Sequence, residues 1–199
     1  MTIFYTEEIK AKTPLKWYIF GPLIALTGGL FGILAAGYQN SGYGLLVAAF
    51  VIAPILEESV KPCGVYWLYA RRPQALPGRM YTACLSALAG LMFGIIESFV
   101  YVGVYYLEYD ELEPTFVIWR FTVCLLLHTT CSFIVGWGIN EKLIAWVRGE
   151  VPFLQGNRKF FFTAMAIHSA YNIFAWILQE TTDLFDDPET ALIPFGFLW

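Results

Sequence analysis

Five apolar runs alternate with polar connections along the chain, at about 17–36, 43–69, 81–107, 116–139 and 160–178. Each holds roughly the 20 residues that an α-helix needs to cross about 30 Å of hydrocarbon. The pattern predicts an all-α fold: a polytopic membrane helix bundle of about five transmembrane helices, forming one integral-membrane domain over residues 1–199. The first run is longer than the apolar core of a signal peptide, and Leu34-Ala35-Ala36-Gly37 is a weak cleavage site, so this run reads as a span. Pro54 is expected to kink or locally open the second span, exposing carbonyls to water or ligand beside Glu57 and Glu58. Ala191 to Trp199 are too few to cross as a helix and are expected to lie in the membrane interface.

Composition and charge add an orientation. With 58% hydrophobic and 14% charged residues, the chain is too apolar for a soluble domain of 199 residues. No basic cluster interleaved with aromatics points to nucleic acid. Ten of the 12 Lys and Arg residues fall in three polar segments: Lys10, Lys12 and Lys16; Arg71, Arg72 and Arg79; Lys142, Arg148, Arg158 and Lys159. The polar segments on the opposite side carry carboxylates instead, among them Glu108, Asp110, Glu111, Glu113, Glu180 and Asp183. Cytoplasmic loops accumulate Lys and Arg, so the N-terminus is expected inside and the C-terminus outside. Cys63, Cys84, Cys124 and Cys131 form no CxxC pair and read as small buried hydrophobes. Cys124, His128 and Cys131 share a helix face, but three soft ligands on one helix rarely close a metal shell.

The informative residues are the ionisable ones inside the spans. Pro54-Ile55-Leu56-Glu57-Glu58-Ser59-Val60-Lys61 places two adjacent carboxylates and an ammonium within the second run. Each charge at bilayer depth costs roughly 2.5–3.5 kcal/mol on insertion scales, so the three call for a compensating network or a water-filled cavity. On a helix Lys61 comes close to both Glu57 and Glu58. Counting about 10 to 14 residues from the outer span ends puts Glu57, Glu58, Glu97, His128 and His168 at similar depth, within about 6 Å for the glutamates. Any one of them alone reads as an interhelical hydrogen-bond partner, whereas five at one depth read as a site. Thr129, Thr130 and Ser132 read as hydroxyls bonding back to their own helix. Gly90, Gly94, Gly136 and Gly138 read as close-approach packing positions.

The combination Glu57-Glu58-x-x-Lys61, Phe93-x-x-x-Glu97, an intramembrane His128 and His168-x-x-x-Asn172 resembles the PrsW-type intramembrane proteases, relatives of the CAAX prenyl-protein endopeptidases. The prenyl-type relatives have an arginine where Lys61 stands and a histidine in place of Glu97, which favours the PrsW type and leaves a CAAX-type protease as an alternative. The resemblance implies peptide-bond hydrolysis within or beside a bacterial or archaeal cell membrane, on membrane-anchored proteins that include regulators such as anti-sigma factors (site-1 cleavage). Two features depart from the family pattern: Ser132, not an acid or amide, follows His128 by four, and no sizeable extracellular domain is expected.

Hydrolysis needs an activated water, a site for the oxyanion and a proton for the leaving amine. Glu57 or Glu58 is the expected general base, with the other held ionised by Lys61. Glu97, His128 and His168 complete the expected catalytic set, with Lys61 and Asn172 in support and Asn172 as an oxyanion donor. No cofactor is required on the preferred, glutamate-activated route; zinc is the alternative, with Glu97, His128 and His168 as its ligands. The rival class is a carrier that moves protons or cations through the same carboxylates and histidines, although no inverted repeat supports it.

Overall fold

The computed structural model describes residues 13–39, 45–110, 112, 114–147, 149–152, 155 and 157–183. Lys10, Lys12, Glu111, Glu113, Arg148 and the segment from 191 to 199 lie outside the described residues. All regular elements among the described residues are helical. α1 spans Trp17–Gln39. A broken segment follows: α2 (Leu45–Val47), a π-turn at Ala48–Ile52, α3 (Ala53–Val60) and α4 (Cys63–Arg71). α5 covers Arg79–Tyr109. α6 (Pro114–Trp119) runs through a second π-turn, Arg120–Cys124, into α7 (Leu125–Gly138). α8 (Glu141–Val147) and α9 (Arg158–Asp183) complete the chain.

Among the described residues, four helices are long and apolar enough to cross a membrane, at 17–37, 79–104, 114–138 and 158–178. They match the first, third, fourth and fifth predicted spans. The second predicted span is not one helix, and its prolines explain why. Pro54 was expected to kink it. In the structure Pro54 sits in the first turn of α3, where a missing N–H costs little, and the π-turn just before it absorbs the defect. The break falls at Lys61-Pro62 instead: Lys61 caps α3 and Pro62 opens α4. α8 was not expected either. Asn140 starts it by accepting the Lys142 N–H on its side-chain oxygen at 2.9 Å, and Leu143 is buried.

The helices pack as a ring: α1 against α5, α5 against α7, α7 against α9, and α9 against α3, which with α4 returns to α1. Its outer face is apolar, with Leu23, Phe31, Leu34, Phe99, Leu126 and Phe174 exposed. Inside, an apolar cluster that includes Val65, Leu68, Leu76, Val135 and Ile139 packs the helices, and Glu57, Glu58, Lys61, Arg120, His128 and His168 are buried as well. Ionisable groups that a bilayer penalises are thereby kept off the lipid-facing surface. Close approach at the break depends on two glycines, because a Cβ on Gly28 would collide with the Lys61 carbonyl and one on Gly64 with the Ile24 carbonyl. Gly90 and Gly136 likewise let α5 and α7 touch, as expected. Of the basic residues, Lys16 and Arg72 line one cleft; Arg79 lies over the Trp137 ring, and Trp137 and Lys159 line a second cleft.

Candidate active site

α3 carries Glu57 and Glu58 and ends on Lys61, so the helix break holds the ammonium beside the carboxylates of the turn before. Lys61 Nζ lies 2.8 Å from Glu58 Oε1 and 3.2 Å from Glu57 Oε2. It also lies 2.9 Å from His128 Nδ1, on α7, and 3.9 Å from the centre of the Phe93 ring, on α5. From α9, His168 Nδ1 meets Glu58 Oε1 at 2.9 Å while its Nε2 stands 3.9 Å from Glu57 Oε2. The two imidazole rings are 5.1 Å apart, edge to face.

The hydrogen bonds fix the imidazole roles. An ammonium only donates, so His128 Nδ1 accepts from Lys61 and Nε2 carries the proton, which it donates to Glu97 Oε2 at 2.8 Å. A carboxylate only accepts, so His168 donates from Nδ1 to Glu58, and its Nε2 faces Glu57 Oε2. A carboxylate oxygen and an imidazole nitrogen thus face each other, two groups of the kind that exchange protons with water.

The structure therefore brings together Glu57, Glu58, Lys61, Glu97, His128 and His168 from four helices. Asn172 has a different setting from the one expected. Its Nδ2 donates to the Ala49 carbonyl at 2.7 Å, and Ser169 Oγ, one turn earlier on α9, donates to the Phe50 carbonyl. Both carbonyls belong to the π-turn before Pro54, and the side chains from α9 bond backbone oxygens there. Thr129 Oγ1 bonds back to Leu125 O as predicted. Ser132 is buried against Gly90. Cys124 and Cys131 pair with the Tyr171 hydroxyl and the Ala164 carbonyl, in keeping with packing roles.

Arg120 was missed as a site residue. It is buried, its Nη2 lies 2.7 Å from Glu97 Oε2, and its guanidinium stacks 4.1 Å from the Tyr101 ring. The available signal was arithmetic: outside the three basic segments the chain has only two basic residues, Lys61 and Arg120, and both prove to belong to the buried network.

A metal can be judged against the donor set. Glu57, Glu58, His128 and His168 each offer a ligand atom, all within 4.8 Å of one another, and all four residues are buried. Two carboxylates and two imidazoles suit Zn²⁺, whose tetrahedral ligands stand about 3.4 Å apart at usual bond lengths, so a modest contraction would close a shell. Glu58 Oε2 is buried without a hydrogen-bond partner among the described residues. Of the carboxylates, Glu97, expected from sequence as a ligand with His128 and His168, meets the Nε2 side of His128, whereas Glu57 and Glu58 lie near both histidines. Lys61 Nζ stands among three of these four donors, in the place of a competing cation.

A ring of helices with apolar outer faces around buried carboxylates, imidazoles and an ammonium defines an integral membrane protein with a buried polar centre. The chain matches the PrsW family intramembrane metalloprotease profile over residues 14–198, nearly its full length, and belongs to that family. It is accordingly an intramembrane protease. Comparison with curated proteins and with solved structures gives no match.

Proposed function

We propose that the chain hydrolyses peptide bonds of membrane-anchored proteins at the Glu57, Glu58, His128 and His168 cluster, within or beside the bilayer. The observation that carries this reading is the convergence of Glu57 Oε2 and His168 Nε2 at 3.9 Å beside a carboxylate, Glu58, that Lys61 holds at 2.8 Å. Glu58 is bound by Lys61 and His168 and serves as the ionised anchor. Glu57 is the base: it takes a proton as the water oxygen bonds to the scissile carbonyl carbon, then returns it to the amine nitrogen as the C–N bond breaks. The network sets three carboxylates, the buried Glu57 and Glu58 and the partly exposed Glu97, against two buried cations, Lys61 and Arg120. That one excess negative charge suits a site that must carry a transferable proton or accept a metal cation. Bound to Glu57, Glu58, His128 and His168, zinc would act as a Lewis acid and lower the pKa of water. His128, with both ring nitrogens engaged, orients the cluster.

The substrate class implied by the family is a single-span protein, regulators such as anti-sigma factors among them, in a bacterial or archaeal cell membrane. The test is purified chain in liposomes with a single-span reporter, read by mass spectrometry of the products while ion flux is followed in parallel. Cleavage inside or next to the reporter's span, without flux, is expected. Flux without cleavage would make the chain a carrier.

A further inference from the structure

Arg120 has more contacts with the network than fold stability asks of it. Two consecutive residues of α5 hold it: Glu97 takes the guanidinium, and Ser98 Oγ donates to the Arg120 carbonyl at 2.9 Å. That carbonyl belongs to the π-turn Arg120–Cys124, a local irregularity of a kind frequent at functional sites. The Tyr101 ring lies against the guanidinium. The Arg120 Nε–H is buried without a hydrogen-bond partner among the described residues, a cost in stability that an apolar residue would avoid. What Arg120 does hold is the one oxygen, Glu97 Oε2, that also receives the His128 Nε2–H.

We propose that Arg120 is a positioning residue for the hydrolytic site, acting through Glu97 to fix the tautomer and ring orientation of His128. Clamped by Arg120, Glu97 presents Oε2 as a fixed acceptor. The His128 proton then stays on Nε2, and the Nδ1 lone pair stays aimed at Lys61 and the carboxylate pair. Without the clamp, Glu97 is free to rotate and the imidazole to flip or exchange its proton between nitrogens, which unseats Lys61 from the Glu57 and Glu58 oxygens. The catalytic part of this inference rests on the hydrolase reading above; the tautomer part does not.

The test uses the chain's having two histidines in all. Full-length protein labelled with ¹⁵N in its histidine rings is compared as wild type, Arg120→Met and Arg120→Lys, with His168→Gln assigning the signals. The expected wild-type result for His128 is a single neutral form protonated at Nε2. Arg120→Met should lose that single form while the His168 signals hold. Arg120→Lys, which keeps a cation beside Glu97, should retain it. On a single-span reporter, Arg120→Met should lower kcat roughly 10–100-fold with KM within about twofold, the usual size of a loss behind a primary ligand or base. Arg120→Lys should recover most of that loss. An unchanged His128 spectrum in folded Arg120→Met overturns the proposal, and so does a raised KM at constant kcat, which would mean substrate contact. If Arg120→Met does not fold, Arg120→Lys decides: a scrambled His128 form there contradicts the clamp by charge. Should no variant or wild type cleave any reporter, the hydrolase reading fails while the spectra still decide the tautomer.

Discussion

Lys61 Nζ donates to His128 Nδ1 at 2.9 Å, so the residue that ends α3 is tied to the first turn of α7. The same ammonium is fully buried and balances Glu57 and Glu58. Removing one partner of a buried ion pair leaves an uncompensated charge and costs about 3–5 kcal/mol. Lys61→Met should therefore lower the melting temperature in detergent well below wild type, and Lys61→Arg should lower it less. Equal melting of Lys61→Met and wild type would show that the ammonium compensates nothing.

Ser169 and Asn172 separate packing from chemistry. Each donates to a carbonyl of the π-turn before Pro54. Ser169→Ala and Asn172→Ala should each cost about 1–3 kcal/mol in stability, the penalty of a buried acceptor left unpaired. Turnover by the folded fraction should stay within a few-fold of wild type. A loss of 10²–10³ in kcat in folded Asn172→Ala would instead match removal of an oxyanion donor.

Lys16 and Arg72 line one cleft, and Arg79 and Lys159 both lie close to Trp137. By the positive-inside rule the segments that carry these residues are expected to face the cytoplasm. In a chain freed of its four native cysteines, a membrane-impermeant thiol reagent on intact cells should label Asp110→Cys and spare Arg72→Cys. The reverse pattern would invert the topology.

Metal dependence has its own readout. If the four-residue donor group holds zinc, elemental analysis should find close to one ion per chain, lost in His168→Ala together with activity. If Lys61 occupies that place, as the distances in the structure allow, the protein should carry well under one ion and remain active after exhaustive chelation. The second outcome is the one expected here. Activity of the chelated protein returning only on addition of zinc would reverse that expectation.

Much of the site was legible in the sequence because the bilayer penalises what it displays. Glu57, Glu58, Lys61, Glu97, His128 and His168 stand out against apolar runs, and a depth count places them together. Depth says nothing about which face of a helix a side chain takes. For that reason the pairing of Glu97 with Arg120, and of the carboxylate pair with both histidines, became visible only in three dimensions. The break at Lys61-Pro62 was obscured by Pro54: two prolines eight residues apart invite one kink, and local sequence does not say which is absorbed by a π-turn. Asn172 was read from its spacing to His168, whereas its partner, the Ala49 carbonyl, lies 123 positions away.

The central claim is that Glu57 and Glu58 carry the hydrolysis, and the double variant Glu57→Gln/Glu58→Gln tests it most directly. The substitutions keep side-chain volume and remove both the base, Glu57, and the ionised anchor, Glu58. Groups that act as one unit lose nearly all activity when removed. Reconstituted with a single-span reporter, the folded double variant should leave it intact over times in which wild type cleaves it completely. Cleavage at the wild-type rate would contradict the assignment of this cluster as the hydrolytic centre.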